Sequence, residues 1–193
     1  MTEAYGFVLD LDAVAGSCAR GTVVLLGQPN NPTGQLLDRH ELDALVRAHS
    51  ETWFVVDEAF VDFCGEEHSL LPALPENALV LRSLTKFYAV PGLRLGLGVA
   101  AKPLAVHLRE QIPPWSVNTL AQAVGVRALA DSAYAEATRA QVPALREALA
   151  RALDSLPALR VFPGAANYLF VQLVDAPLDA PALNRTLLQD YGM

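Results

Sequence analysis

The chain has 193 residues, of which 52% are hydrophobic and 18% charged, and its formal net charge at pH 7 is −7. This composition indicates a folded domain with a substantial core and excludes a disordered tail. The acidic balance argues against nucleic acid as a partner, because nucleic-acid binding draws on clustered lysine and arginine. The sequence has no apolar run long enough to predict a membrane span and no secretory-type N-terminus, so we expect a cytoplasmic protein without membrane partners. Cys18 and Cys64 have neither disulfide nor metal-binding spacing, and no metal site is predicted.

Short apolar runs that end in polar residues predict buried parallel strands in the first part of the chain. These runs are residues 22–27, 53–56 and 78–81. A helix is predicted after the first run, because Asp38 and Glu41 form a capping-box-like start. Ligands of such sheets bind outside the carboxyl ends of the strands, where this sequence has Asn31, Asp57 and Ser83.

The rest of the chain predicts one more strand of this sheet, several helices and a second unit. Helical periodicity over residues 132–156 predicts a long connecting helix, which Pro143 should kink or divide. The remaining predictions are strands at 93–100, 159–162 and 168–173, and helices at 104–111, 117–130 and 182–191.

Three charged residues are candidates for chemistry at the predicted sheet edge. Lys86, one of only two lysines, follows a predicted strand, although a solvated surface lysine is the better reading of that residue alone. Arg94 lies between Gly92 and Gly96, where a guanidinium can hold a phosphate and glycines permit close backbone approach. Asp57 is compatible with a strand-end cap, a metal ligand or a partner for a protonated ring nitrogen.

Four sequence segments together resemble the class I/II aminotransferase superfamily in order and spacing. They are residues 28–34 (QPNNPTG), 57–60 (DEAF) and 83–86 (SLTK), followed by Arg94. Within the superfamily, the amino-acid sequence of residues 57–63, 81–95 and 114–118 is similar to that of threonine-phosphate decarboxylases. Histidinol-phosphate aminotransferases are near relatives of these enzymes. The resemblance covers nearly the whole chain.

The resemblance implies pyridoxal 5'-phosphate as the cofactor and a role for each matching residue. Lys86 would form the Schiff base with the cofactor and later move protons, and Asp57 would keep the pyridine nitrogen protonated. Asn31 would donate a hydrogen bond to the 3-oxygen of the ring, while Ser83 and Arg94 would bind the phosphate. Family members often have a cis bond at the position of Asn31–Pro32, where proline makes that isomer accessible.

One position departs from the commonest family pattern, and three further residues are weak substrate candidates. Many aminotransferases have tyrosine where this chain has Phe60, and the decarboxylases resemble this chain in having phenylalanine. Trp115 and Asn118 are candidates for lining a substrate pocket, and Asn167 for holding a substrate carboxylate, but core packing and helix capping are equally compatible.

The implied fold is α/β, an aspartate-aminotransferase-like large domain with a mostly parallel sheet flanked by helices, followed by the start of a smaller α+β domain. We expect residues 1–130 to form part of the large cofactor-binding domain, 131–156 the connecting helix region and 157–193 an incomplete small domain. Family members are longer at both ends, so truncation is expected. The implied function is decarboxylation of L-threonine O-3-phosphate to aminopropanol phosphate in cobalamin biosynthesis by a homodimer in the full-length form. The alternatives are a histidinol-phosphate-type aminotransferase or an inactive fragment of either.

Overall fold

A four-stranded sheet forms the first part of the protein, and the computed structural model describes residues 6–193. Its strands lie in the order β1-β2-β3-β4. The first three are parallel to one another, as the sequence predicts, and β4 is antiparallel to β3. The strands are β1 (Val23–Gly27), β2 (Trp53–Asp57), β3 (Ala78–Ser83) and β4 (Gly96–Ala100).

Helices flank this sheet and connect it to a second, two-stranded antiparallel sheet made of β5 (Leu159–Phe162) and β6 (Phe170–Leu173). Within residues 6–193, no helix is long and apolar enough to cross a membrane. The two sheets lie on either side of α6 in the chain, and the domain boundaries themselves stay a prediction. The helices are α1 (Leu11–Ala15), α2 (Arg39–Ala48), α3 (Leu84–Phe87), α4 (Lys102–Gln111), α5 (Thr119–Leu129), α6 (Ser132–Asp154) and α7 (Ala180–Tyr191).

Helix α2 covers one face of the first sheet. It begins as predicted at Asp38, whose carboxylate accepts hydrogen bonds from the amides of His40 and Glu41. Its apolar residues recur at helical spacing and are buried against the sheet, where they form one cluster with alternate strand residues. This cluster contains Leu26, Leu42, Leu45, Val46, Phe54, Val56, Ala78 and Val80.

The opposite face of the sheet is largely open in the described part of the chain. Val23 and Leu25 in β1 are 64% and 70% exposed, and Trp53 in β2 is 43% exposed. The prediction that residues 22–27 form a buried strand is therefore wrong for this face, because no element within residues 6–193 covers Val23 and Leu25. Only the alternate β1 residues, such as Leu26, face α2.

The predicted start of the fourth strand is wrong, and one of the two effects expected of Pro143 is absent. The fourth strand begins at Gly96 rather than at residue 93, because residues 91–93 form a 3-10 turn and Arg94 has a left-handed backbone with φ 51°. Pro143 was expected to kink or divide the connecting helix, and it does not divide it, since α6 continues through it. A proline removes only one hydrogen bond of the ladder, and the rest of this 23-residue helix maintains the backbone conformation.

Candidate active site

The carboxyl ends of the parallel strands meet at one edge of the sheet. Gly27 pairs with Asp57, and Asp57 pairs with Leu81 in the next strand. The ladder continues one residue further, because the Gln28 amide donates to the Asp57 carbonyl at 2.9 Å and the Glu58 amide donates to the Leu81 carbonyl at 2.8 Å. This register places the predicted residues that follow each strand on neighbouring segments of the same edge.

Asp57 ends β2 with its side chain exposed on the open face of the sheet. One carboxylate oxygen, Oδ1, accepts a hydrogen bond from the Ala59 amide at 3.0 Å, so Asp57 does cap the turn after its strand. Within residues 6–193 it has no ion-pair partner. The second oxygen and the negative charge therefore face solvent, where they can meet a cationic group of a ligand.

Lys86 lies in α3, the single helical turn that directly follows β3, and its side chain is exposed. Its ammonium nitrogen is 5.8 Å from the centre of the Phe60 ring, in the turn that follows Asp57. No carboxylate of the described chain forms an ion pair with it. At the start of the same turn, the Ser83 and Thr85 hydroxyl oxygens are 2.8 Å apart and share a hydrogen bond.

Arg94 approaches this edge from the other side of β3. Ser83 in β3 pairs with Gly96 in the antiparallel strand β4. Arg94 lies two residues before Gly96 in the chain, and therefore close to the end of β3. A Cβ atom at Gly96 would lie 3.0 Å from the Arg82 carbonyl oxygen, which explains why a glycine stands there. The Arg94 guanidinium is exposed, and its one hydrogen bond within residues 6–193, to the Pro91 carbonyl, is 3.4 Å long.

Asn31 lies in the turn after β1, with an exposed side chain. The Asn31–Pro32 bond is cis, as the family resemblance implies, and Gln28–Pro29 is also cis. The Asn30 side chain donates to the Thr33 hydroxyl at 2.7 Å, which closes the turn and leaves Asn31 at its tip.

A segment of the second unit packs on this turn. The Ala165 amide donates to the Gly34 carbonyl at 2.8 Å, and the Gln35 side chain donates to the Pro163 carbonyl at 2.9 Å. Gly34 has φ 72°, and a Cβ atom there would lie 2.9 Å from the Cα of Gly164. Both the left-handed backbone and the close approach therefore require glycine at position 34.

Tyr168 is a site residue that the sequence interpretation missed. Its hydroxyl donates to the Asn30 carbonyl at 2.8 Å, and its ring packs edge-on against Phe60 with ring centres 5.0 Å apart. Burial raises the pKa of Tyr168 to about 12, with further contributions from Cys64 and Asp57. The contact joins residues 138 positions apart, so no local pattern could have indicated it.

The three weak substrate candidates do not behave alike. The Asn118 side chain accepts a hydrogen bond from the Ala121 amide at 2.8 Å, so it caps the N-terminus of α5, one of the two structural alternatives. Trp115 is 95% exposed with φ 57°, which contradicts core packing as its role. Asn167 is exposed next to Tyr168. None of the three has a described hydrogen bond with Asn31, Asp57, Ser83, Lys86 or Arg94.

The residues at this edge fit the chemistry of pyridoxal phosphate. Asp57, Lys86 and Arg94 are all exposed, and none forms an ion pair within residues 6–193, although the same edge holds a different, fully paired arginine. That arginine is Arg82, which is buried and contacts the carboxylates of Glu58 and Asp62. Adjacent segments thus provide three groups that suit this cofactor. The Lys86 amine suits its aldehyde, the Asp57 carboxylate its pyridinium nitrogen and the Arg94 guanidinium its phosphate.

The fold is aspartate-aminotransferase-like, with a mostly parallel sheet flanked by helices. A sequence profile of the family described as "Aminotransferase class I and II" matches residues 2–193. The chain belongs to this family.

Two curated relatives and one solved structure show what the chain is similar to within the family. It is 47% identical to threonine-phosphate decarboxylase of Salmonella typhimurium over 86% of the chain and 46% of that protein. It is 36% identical to histidinol-phosphate aminotransferase 2 of Burkholderia pseudomallei over 95% of the chain and 52% of that protein. The crystal structure of L-threonine-O-3-phosphate decarboxylase from Porphyromonas gingivalis superposes with a TM-score of 0.80 at 29% identity, covering 89% of this chain and 53% of the other. The chain thus spans about half the length of these relatives.

Proposed function

We propose that this chain forms part of a pyridoxal-phosphate enzyme and carries the lysine that bonds the cofactor, Lys86. The observation that supports this most directly is the set of three exposed, unpaired charges of Asp57, Lys86 and Arg94 at one sheet edge of a class I/II aminotransferase fold. Charged groups on a protein surface are often paired or scattered. These three are unpaired and lie on adjacent segments, and together they match the aldehyde, the ring nitrogen and the phosphate of one ligand. When bound, the cofactor supplies an electron sink that stabilises negative charge at the substrate Cα.

Each of the protein's own groups then has a defined task. The Lys86 amine would bond the cofactor and hold or deliver a proton at its Nζ atom, and the charge of Asp57 would favour a protonated ring nitrogen. The Ser83 hydroxyl and the Arg94 guanidinium bind the phosphate, which fixes the ring relative to Lys86. Asn31 donates to the 3-oxygen, a task that it performs without a tyrosine hydroxyl at Phe60.

We infer that the reaction of the whole protein is decarboxylation of L-threonine O-3-phosphate, the step named for the relative at 47% identity. Its place would be cobalamin biosynthesis, and the full-length enzyme would be a homodimer acting on this small phosphorylated amino acid. A histidinol-phosphate-type aminotransferase is the second candidate, supported by a relative at 36% identity. The two reactions differ in whether the substrate loses its carboxylate or its Cα hydrogen, and the contacts that hold the substrate would decide between them.

The cofactor proposal is tested by incubating the chain with pyridoxal phosphate, reducing it with borohydride and locating pyridoxyl-lysine by peptide mass spectrometry. We expect label on Lys86 and little on Lys102, which begins α4 away from the sheet edge. An Arg94→Gln variant should need more cofactor for the same labelling, because it lacks the phosphate-binding guanidinium. Equal label on both lysines would show unspecific amine chemistry and overturn the proposal.

The substrate proposal needs a separate measurement on the cofactor-loaded protein. We expect carbon dioxide release from L-threonine O-3-phosphate that does not require 2-oxoglutarate. Amino transfer that depends on the oxo acid would instead support the aminotransferase. Absence of both reactions, with Lys86 still labelled, would identify the 193-residue chain as a cofactor-binding but inactive part of the enzyme.

A further inference from the structure

A buried polar network lies directly behind the cofactor edge of the sheet. The Arg82 side chain is only 6% exposed, and its guanidinium contacts three carboxylates. The distances are 2.9 Å from Nε to Glu58 Oε2, 2.6 Å from Nη1 to Asp62 Oδ1 and 3.1 Å from Nη2 to Glu66 Oε2. A buried guanidinium with three carboxylate partners fixes each partner in position, because its planar fork sets the direction of every bond.

Ser69 and a backbone amide complete the network around Glu58. The Ser69 hydroxyl donates to Glu58 Oε2 at 2.7 Å and accepts from Arg82 Nη2 at 2.9 Å. The Leu70 amide donates to the other oxygen, Oε1, at 2.8 Å. Both oxygens of a fully buried carboxylate are thus hydrogen-bonded. Burial raises the pKa of Glu58, and the hydrogen bonds from the Leu70 amide and the Ser69 hydroxyl, together with the charge of Arg82, oppose this rise only in part.

Glu58 and Arg82 are sequence neighbours of two proposed cofactor ligands, on the opposite face of the sheet. In an extended chain, successive side chains point to opposite faces. Asp57 and Ser83 therefore face the open, cofactor side, while Glu58 and Arg82 face the buried side. Any rotation of the backbone that moves Asp57 or Ser83 must also move a member of the network.

We propose that Arg82 is a positioning residue for the cofactor site, which ties the end of β2 to the end of β3 through Glu58 and so fixes Asp57 relative to Ser83 and Lys86. The Glu58 amide bond to the Leu81 carbonyl is the only backbone link of the two segments beyond the strand pairs among the described contacts, and the side-chain network adds a second, stiffer link. The network also reaches α6, because Arg139 donates to the Asp62 carbonyl at 2.9 Å. The cofactor part of this inference rests on the proposed function.

The test uses Arg82→Lys, which keeps the positive charge but cannot bridge Glu58, Asp62 and Ser69 together. A milder variant, Ser69→Ala, removes the hydroxyl's bonds to Glu58 and Arg82, together with the bond from the Leu71 amide, and leaves the arginine in place. We expect Arg82→Lys to weaken pyridoxal-phosphate binding, measured by absorbance titration, at least tenfold, and Ser69→Ala to weaken it less. We also expect the pH at which the absorbance of the Lys86 adduct changes to shift, because that pH depends on where Asp57 lies relative to the ring.

Arg82→Lys could weaken cofactor binding by lowering the stability of the protein rather than by moving Asp57. Asn77→Ala is the matched control for this effect. Asn77 is a buried residue at the amino end of β3, far along the strand from Ser83, and its side chain donates to the carbonyls of Val46, His49 and Thr52. At a temperature where both variants are fully folded, Asn77→Ala should bind the cofactor like the wild type. Equal binding by Arg82→Lys and the wild type, or equal weakening by Asn77→Ala, would overturn the positioning role.

Hydrogen exchange of the cofactor-free chain separates this inference from the proposed function. We expect Arg82→Lys to speed exchange of the Glu58 and Ala59 amides and of residues 83–87, while α2 keeps its protection. Asn77→Ala should do the reverse and loosen the C-terminal end of α2. If the wild type does not bind pyridoxal phosphate, the proposed function fails. Faster exchange at Glu58 and Ala59 in Arg82→Lys would even then support the inference that the network fixes the end of β2 relative to the end of β3. Unchanged exchange in Arg82→Lys would contradict it.

Discussion

The Tyr168 hydroxyl connects the second unit of the protein to the turn that carries Asn31. It donates to the Asn30 carbonyl, one residue before Asn31, and its ring packs against Phe60, the ring that Lys86 overlies. A single side chain thus contacts the turns after both β1 and β2. Its position could not be predicted from the sequence, because it depends on how residues 163–168 pack on the first sheet.

Replacement of Tyr168 by phenylalanine should lower the free energy of unfolding by about 1 kcal/mol, the usual contribution of one hydrogen bond. The loss should depend on pH. The pKa of Tyr168 is raised to about 12 in the folded protein, above the ordinary value of 10.0, so the unfolded chain loses the proton first. The stabilisation is therefore complete below about pH 10 and disappears as pH rises towards 12.

Urea denaturation of the wild type and of Tyr168→Phe between about pH 7 and 11 measures this effect. The stability gap should be constant up to about pH 10 and narrow above that, since the unfolded chain ionises first, near the ordinary pKa of 10.0. The matched control is Tyr191→Phe at the exposed C-terminal end of α7, which should leave stability unchanged across the range. A gap that stays constant to the upper end of the range would contradict the raised pKa.

At the scale of elements, the sequence predicted most strands and helices but not what each one covers. Helix α2 was predictable because its start signal and apolar spacing are local features. Pro143 does not divide α6, because the remaining hydrogen bonds of the helix outweigh a local helix-breaking signal. The strand predicted from residue 93 failed for the opposite reason, since the left-handed Arg94 interrupts a run whose composition alone favours a strand.

Substitutions of Asn118 test whether this residue at the start of α5 has a structural or a binding role. If its side chain chiefly caps the helix, Asn118→Ala should cost about 1 kcal/mol of stability, while Asn118→Ser, which can still cap, should cost only a few tenths. Thermal or urea unfolding of both variants measures this. Cofactor labelling of Lys86 should be unaffected in each. Weaker labelling in Asn118→Ser at unchanged stability would instead assign Asn118 to the cofactor site.

On the scale of the whole molecule, the position of the candidate residues at one sheet edge was more predictable than the packing around them. The residues of the site follow strand ends, and their order along the chain resembles that of a known family, so Asn31, Asp57, Ser83, Lys86 and Arg94 could be selected from the amino-acid sequence alone. The open face of the first sheet could not be predicted in the same way. An apolar run in β1 indicates burial on both faces, whereas the described chain supplies helices for one.

Neighbouring leucines of β1 test whether that open face is uncovered in solution. Leu25 is 70% exposed on the open face, and Leu26 is 8% exposed against α2. Leu25→Thr should change the free energy of unfolding by less than about 0.5 kcal/mol, as for an exposed position. Leu26→Thr should cost about 2–4 kcal/mol, because it leaves a cavity and buries a hydroxyl. Urea denaturation at low protein concentration measures both variants.

The same pair of variants should distinguish an effect on folding stability from an effect on self-association through the exposed apolar face. An exposed apolar face promotes self-association and binding of hydrophobic dyes. Leu25→Thr should therefore reduce both dye fluorescence and concentration-dependent light scattering, whereas Leu26→Thr should reduce neither while the protein remains folded. If Leu25→Thr destabilised the chain as much as Leu26→Thr, the face around Leu25 would have to be covered in solution. The 193-residue chain would then not exist as an isolated molecule with the surface described.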